Sequence, residues 1–337
     1  MGVVTTNHFK QPDIYAVWTK DADVRYKSTS GGAFTELAKN ILNKGGLVAG
    51  ARYNEECLVE HCLVDSLDGL DEIRQSKYMS SIPGNIYKDV KAALEEGRLI
   101  GFCGAPCQVL GLYSFLGKDY DNLITMDFIC RGMNSPKAFK AWLSELEERE
   151  GCKAKKVWFK YKDGGWKSSP KRTRVDFEDG HYVVKEGEDN LYMYGYLTSN
   201  LYIRPSCGNC TVKGVPRQGD ITLADFWGIE SELDDDKGTS MLLINSEKGR
   251  DLFDEIRNNM VVHQRNFSEI FNGNPMFSTS AKVPNETHEF LADLDNMSFT
   301  DALKKYGGYP SAISRWKKIV KKIKTVILCL ASNGDIK

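Results

Sequence analysis

The chain lacks an apolar run of membrane-spanning length, a G-x-G-x-x-G fingerprint, an internal repeat and any low-complexity stretch. Its five histidines (His8, His61, His181, His263 and His288) stand at no ligand spacing from one another. It also lacks a charge excess. Lys and Arg number 45 against 46 Asp and Glu, a net charge of -1. That balance gives no field suited to nucleic acid, so no nucleic-acid partner is expected. The first residues, Met1 to Thr6, lack the basic-then-apolar pattern of a signal peptide. A cytoplasmic location is the expectation, where thiols stay reduced and clustered cysteines are metal ligands more often than disulfides.

What the chain does have is a core and cysteines. Of 337 residues, 41% are apolar and 11% aromatic, enough for one large domain or two ordinary ones. Four of the nine cysteines lie in glycine- or proline-marked contexts. These are Cys107 in Gly104-Ala105-Pro106-Cys107-Gln108, Cys130 in Ile129-Cys130-Arg131-Gly132, and the pair Cys207-Gly208-Asn209-Cys210. Four thiolates can surround one soft metal centre, either tetrahedral zinc or a 4Fe-4S cubane. No second C-x-x-C exists, so the remaining ligands have to be isolated cysteines. Cys103 and Cys107 are both available. Cys107 is preferred, because a loop-to-helix position exposes the thiol and a helix N-terminus stabilises thiolate, whereas Cys103 reads as a strand residue. Spacing alone leaves zinc and cluster both open. Cys57, Cys62, Cys152 and Cys329 have no partner at metal spacing and read as buried or harmless thiols.

The periodicity predicts an α/β fold: a mixed sheet flanked by helices, with a small β insertion and a C-terminal helical tail. Strands are expected at 13–18, 47–51, 60–64, 98–103, 123–129, 220–224 and 240–245. Helices are expected at about 31–42, with Ser30 as N-cap, and at 66–74, 87–94, 107–116, 137–150, 190–202 and 248–258. Alternation with turns at Asp163-Gly164-Gly165 and Glu178-Asp179-Gly180 marks the insertion. Four parts follow: 1–150, 151–188, 189–260 and 261–337. Ser30-Gly31-Gly32 ahead of a helix would present backbone N–H groups to an anion, or form an ordinary capped helix. Lys77 lies among hydroxyls in Ser76-Lys77-Tyr78-Met79-Ser80-Ser81, a setting that suits phosphate, although most such lysines are solvated.

Six segments then fall in the order of one family. They are Gly-Gly-Ala-Phe at 31–34, Ser-Lys-Tyr at 76–78, Gly-x-Pro-Cys-Gln at 104–108, Cys-x-Gly at 130–132, Cys-x-x-Cys at 207–210, and Asp-Ile-Thr-Leu-Ala-Asp-Phe-Trp-Gly at 220–228. From about residue 13 to about 258 the chain resembles the coenzyme F-420 hydrogenase/dehydrogenase beta subunit family. The resemblance implies an FAD-dependent iron–sulfur oxidoreductase, passing electrons between a small-molecule hydride donor or acceptor and a one-electron partner. It implies Cys107, Cys130, Cys207 and Cys210 as ligands of a 4Fe-4S cluster. It implies a flavin site lined by Ser30, Gly31, Gly32, Ser76, Lys77, Gly104 and Asp225. By the same likeness 1–150 is the flavin-binding part and 189–260 the part that holds the cluster and closes over the flavin. Lys77 and Asp225 are catalytic candidates by placement only.

The departures also carry expectations. Many relatives begin with a ferredoxin-like segment that this chain does not show, which implies a separate ferredoxin-like electron-transfer partner. Gly-Ala-Pro-Cys stands where Gly-Thr-Pro-Cys is usual, and Arg131 where histidine is usual, against a proton-relay role there. Position 103 is usually a small hydroxyl residue, which supports leaving Cys103 out of the ligand set. Two rival readings are a non-catalytic scaffold with a structural metal and a protein of glycan assembly on the same fold. Eight basic and no acidic residues lie between 302 and 334, leaving a net -9 on the rest. Apolar residues recur at helical spacing within 311–330, so this segment is expected either to pack on the body or to touch a membrane surface.

Overall fold

The computed structural model describes residues 8–310. Among the described residues, eleven strands form two sheets. The main sheet holds β1 (His8–Thr19), β2 (Leu47–Tyr53), β3 (Val59–Val64), β4 (Ile100–Cys103), β5 (Leu123–Phe128), β9 (Ile221–Asp225), β10 (Ser240–Ser246) and β11 (Met260–Arg265), in the order β11-β1-β10-β9-β5-β4-β2-β3. Its centre, β9-β5-β4-β2, is parallel, and its outer strands are antiparallel. The small sheet is antiparallel, β6 (Ala154–Phe159), β7 (Arg172–Phe177) and β8 (Tyr182–Glu186), and lies wholly inside the expected insertion.

Helices cover both faces of the main sheet, as a parallel sheet requires. Before the insertion run α1 (Ala22–Lys27), α2 (Ala33–Asn43), α3 (Leu67–Ile73), α4 (Ile86–Glu95), α5 (Pro106–Leu116) and α6 (Pro136–Glu150). After it come α7 (Leu191–Thr198), α8 (Glu247–Ile256), α9 (Ile270–Gly273), α10 (Thr287–Asp293) and α11 (Phe299–Lys305). Strand alternation sorts the core. On β4, Ile100 and Phe102 face Val90, Val109 and Leu112 of α4 and α5. On the opposite face, Val48 and Met126 pack with Leu37 and Ile41 of α2 and Leu252 and Phe253 of α8. Gly101 lets α2 come close: a Cβ there would meet the Ile41 Cδ1 at 2.6 Å. A third, aromatic core joins α6, α7, α10 and α11 to the small sheet through Phe139, Trp142, Phe159, Tyr192 and Phe299.

Several expectations need correction. Ser30 is not the N-cap of α2. Gly32 is, in a left-handed conformation at φ 91° that a side chain would strain. α1 was not expected; Asp21 caps it by accepting from the Val24 N–H at 3.0 Å. α7 ends at Thr198, and Asn200 turns the chain at φ 59°. β11 crosses the expected boundary at 260/261 and pairs with β1, so the region 261–337 begins inside the main sheet. The parts 1–150 and 189–260 share that one sheet. No helix among the described residues is long and apolar enough to cross a membrane. The basic segment 311–330 lies outside the described residues.

Candidate functional site

At the carboxyl ends of the parallel strands lies a cavity of about 520 Å³, within the usual size for a small-molecule or cofactor site. Gly50 of β2, Cys103 of β4, Phe128 of β5 and Asp225 of β9 form its floor, and His61 of β3 reaches it from the antiparallel neighbour. From β9 to β3 is four strand spacings, roughly 19 Å. The first turn of α2, the 74–79 loop, Lys160 of the insertion, α7 and the 273–276 loop supply the other walls.

Local sequence explains the shape. Pro106 starts α5, and the Gln108 side chain accepts from the Ala105 N–H at 2.9 Å. The amide of the same side chain donates to Ser81 Oγ at 2.8 Å, tying α5 to the 76–81 loop. Thr29 Oγ1 accepts from the Ser76 N–H at 2.8 Å, which brings the loop before α2 beside Lys77. Lys162 donates to the carbonyls of Arg25, Ser30 and Lys237 at 2.6, 2.5 and 2.9 Å. Three acceptors use all three ammonium protons, although burial pushes this lysine down to about 7.

A smaller void of about 30 Å³ adjoins the cavity, and Cys107, Cys130, Cys207 and Cys210 all line it. Cys107 is the second residue of α5, Cys130 follows β5, and the pair lies on a 3-10 turn, Pro205–Asn209, and just after it. The lining holds four thiols and no carboxylate or imidazole. Cys130, Arg131, Gly132, Met133 and Met276 line both spaces, so one wall serves the two. Burial pushes the Cys130 thiol up to about 12; neighbouring Cys207 and Cys107 raise it further, while the Gly132 N–H and Lys213 oppose. Cys107 is raised too, by burial first and then by Cys207 and Cys210. The Met133 N–H points at Cys207 Sγ, 3.5 Å away. Cys103 stands apart from this group. It packs in the core beneath α2, touches only the larger cavity, and burial holds it at about 12. Among the described residues, no group of three or more His, Cys, Asp or Glu side chains is arranged to hold a single metal ion.

Of the seven residues expected around a flavin, Ser30, Gly32, Ser76, Lys77, Gly104 and Asp225 line the large cavity. Gly31 does not. Its N–H donates to Ser240 Oγ at 2.9 Å, and a Cβ would meet the Val17 carbonyl at 2.3 Å, so it serves packing against β1 and β10. The Ser30 hydroxyl is turned to the protein and donates to the Thr239 carbonyl at 2.7 Å. Lys77 donates to the Arg74 carbonyl at 3.0 Å and lies 5.4 Å from the Tyr53 ring centroid. Its remaining surface faces the cavity rather than bulk water, and burial, with Lys156 nearby, lowers it to about 7.

Sequence reasoning missed Lys160 and His61 as site residues, and gave Arg131 no partner. Lys160, only 2% exposed, ion-pairs with Asp225 and sits 4.9 Å from the Trp227 ring, which stacks on Trp166 at 4.1 Å. Strand alternation gave no hint of this, because Lys160 turns to φ 55° just after β6 and breaks the period. His61 stacks on Phe102 with rings 5.6 Å apart, and its Nε2 lies 3.3 Å from the Cys103 carbonyl. Arg131 donates to the carbonyls of Tyr196 and Leu197 and to Asn200 Oδ1, all at or after the end of α7.

No curated protein matches the chain. The fold is similar to a chain of the xenon-derivatised F420-reducing [NiFe] hydrogenase complex from Methanosarcina barkeri, with a TM-score of 0.52 at 15% identity over 88% of this chain and 92% of that one. Residues 97–270, which include the four cysteines and Asp225, match the family model for the C terminus of the coenzyme F420 hydrogenase/dehydrogenase beta subunit. The chain therefore belongs to the coenzyme F420 hydrogenase/dehydrogenase beta subunit family, a family of oxidoreductase subunits.

Proposed function

We propose that this chain is an FAD-dependent iron–sulfur oxidoreductase, with FAD in the large cavity and a 4Fe-4S cluster on Cys107, Cys130, Cys207 and Cys210. The observation that carries the reading is the wall, Cys130 to Met133, common to the cavity and the four-thiol void. The void itself fits the group. Four thiols with no carboxylate or imidazole among them make a soft ligand set, and an iron centre would offset the burial that raises Cys107 and Cys130. When bound, FAD would exchange a hydride for single electrons that the cluster relays.

The protein's part is orientation and charge. Gly32, Ala33 and Phe34 line the cavity at the start of α2, where first-turn N–H groups lack intrahelical partners and favour an anion. Asp225, held by Lys160, offers a fixed carboxylate to a ring N–H. Lys77 Nζ, held near neutral pH by burial, can give or take a proton at the cavity surface. Cys107 is the exposed member of its set, and so marks the side from which a separate ferredoxin-like partner would exchange electrons.

An anaerobic spectrum after reconstitution with iron, sulfide and FAD tests this. The expected result is a flavin band with a broad iron–sulfur shoulder, and loss of the shoulder in Cys210→Ala with flavin partly retained. A preparation that stays colourless and carries stoichiometric zinc would reject the reading in favour of a structural metal on the same fold.

A further inference from the structure

Three cations, Arg131, Lys213 and Arg217, line the four-thiol void, and no carboxylate does. Two of them are committed elsewhere. The Arg131 fork reaches the carbonyls of Tyr196 and Leu197 at the end of α7. Arg217 pairs at 3.0 Å with Asp127, a carboxylate with no exposed surface, and donates to Thr222 Oγ1 and the Phe128 carbonyl. Lys213 differs. Its Nζ donates to the Cys130 carbonyl at 2.5 Å and to the Met276 carbonyl at 2.7 Å, and among the described residues it has no carboxylate partner.

The backbone around Lys213 holds it in place. The Cys210 N–H donates to Ser280 Oγ at 3.2 Å, and Gly214, turned to φ 70°, donates its N–H to the Phe277 carbonyl at 2.7 Å. Residues 210–214 are thereby tied to 276–280, and the Lys213 side chain adds a strut to Cys130, just past β5. The charges that reach this lysine are those of Cys130, Cys210, Cys207 and Arg217, with no aspartate or glutamate among them. It is half-buried, so solvent and salt screen it less than a surface charge. A held cation without a counter-ion therefore faces whatever negative charge the thiol set carries.

We propose that Lys213 is a positioning residue of the cysteine centre: it joins the Cys130 and Met276 walls and supplies the uncompensated cation that raises the reduction potential of a 4Fe-4S cluster held there. A centre on four thiolates becomes more negative when it gains an electron, and a cation at its wall favours the reduced form. Reduction adds one electron and makes or breaks no bond. Arg217 contributes less because Asp127 cancels its charge, and Arg131 contributes less because its fork is turned to α7. The inference rests on the cluster reading above and names the side chain that tunes it.

Redox titration of the reconstituted full chain tests it, with iron counted and the reduced cluster followed by low-temperature EPR. Lys213→Gln keeps a donor for the two carbonyls and removes the charge. It should hold as much iron as the parent and shift the one-electron equilibrium about tenfold towards the oxidised form, a potential lower by about 59 mV. Lys213→Arg should restore the parent's potential. Parent-like iron and potential in Lys213→Gln would overturn the proposal and leave the cluster reading intact. If Lys213→Gln holds no iron, the arginine variant decides: parent-like iron and potential support the role of the charge, and loss of iron there as well overturns it. A parent that takes up zinc and no cluster would overturn both readings.

Discussion

Lys160 and Asp225 form an ion pair across the join between the small sheet and the main sheet, with the lysine 2% exposed and the aspartate 19%. The pair places the insertion in the site. Lys160 Nζ lies over the Trp166–Trp227 stack, so the cation is held by a ring face as well as by the carboxylate.

The unequal burial sets an unequal response. Asp225→Asn strands the more buried charge and should destabilise by about 3–5 kcal/mol, the usual loss when one partner of a buried pair is removed. Lys160→Met should lose less, because Asp225 keeps contact with the cavity. Adding Lys160→Met to Asp225→Asn should recover part of the loss. Urea unfolding of the three variants measures this, and strictly additive effects would remove the pair from the account.

The four-thiol set can be tested against its near miss. Cys107→Ala should remove the iron–sulfur absorbance after reconstitution, because Cys107 lines the void with the other three. Cys103→Ala should leave the absorbance and the iron count unchanged, because that thiol packs beneath α2. Equal losses in both variants would put Cys103 in the ligand set beside Cys107.

Much of this site was legible in sequence. Cys107, Cys130 and the Cys207–Cys210 pair sit beside turn residues that end strands or open helices, and such breaks lie at the carboxyl edge of an α/β sheet. Gly32 was legible as a loop glycine, but not as the cap of α2, because Ser30 offered a better capping side chain. Its hydroxyl goes instead to Thr239, a partner 209 residues away that no local pattern can supply. Lys160 and His61 were hidden for the same reason: their meaning comes from neighbours on other strands. β11 was missed because its six residues, Met260 to Arg265, alternate only weakly and gain their place by pairing with β1.

Lys77 gives a pH dependence with a defined sign. Its value falls from the ordinary lysine range in the unfolded chain to about 7 in the folded one. Between those limits the unfolded chain binds more protons, so stability rises with pH from about 7 towards 10. Below pH 7 both states are protonated and the burden of the buried charge is present in full. Lys77→Met should therefore flatten the rise in denaturation midpoint over that window. The comparison is with the parent, because buried tyrosines such as Tyr78 titrate nearby with the opposite sign. Parallel curves for parent and variant would mean that Lys77 is solvated after all.

Arg131 decides whether the wall between the two spaces is structural or proton-active. It lines both, yet its guanidinium is committed to Tyr196 O at 2.8 Å, Asn200 Oδ1 at 2.6 Å and Leu197 O at 3.1 Å, and lies 4.8 Å from the Tyr196 ring. A cation at the end of α7 satisfies carbonyls the helix leaves open and favours the negative end of its dipole. Held by these three acceptors, Arg131 is a fixed structural cation. Arg131→Lys keeps the charge but loses the fork, and should destabilise by about 1–3 kcal/mol through unpaired carbonyls. The shape of any pH–activity profile should stay the same, since no titrating group is removed. A profile whose limb shifts in Arg131→Lys, at unchanged stability, would assign this wall to proton transfer. A drop in unfolding free energy with an unshifted limb assigns it to holding α7 against the cysteine void.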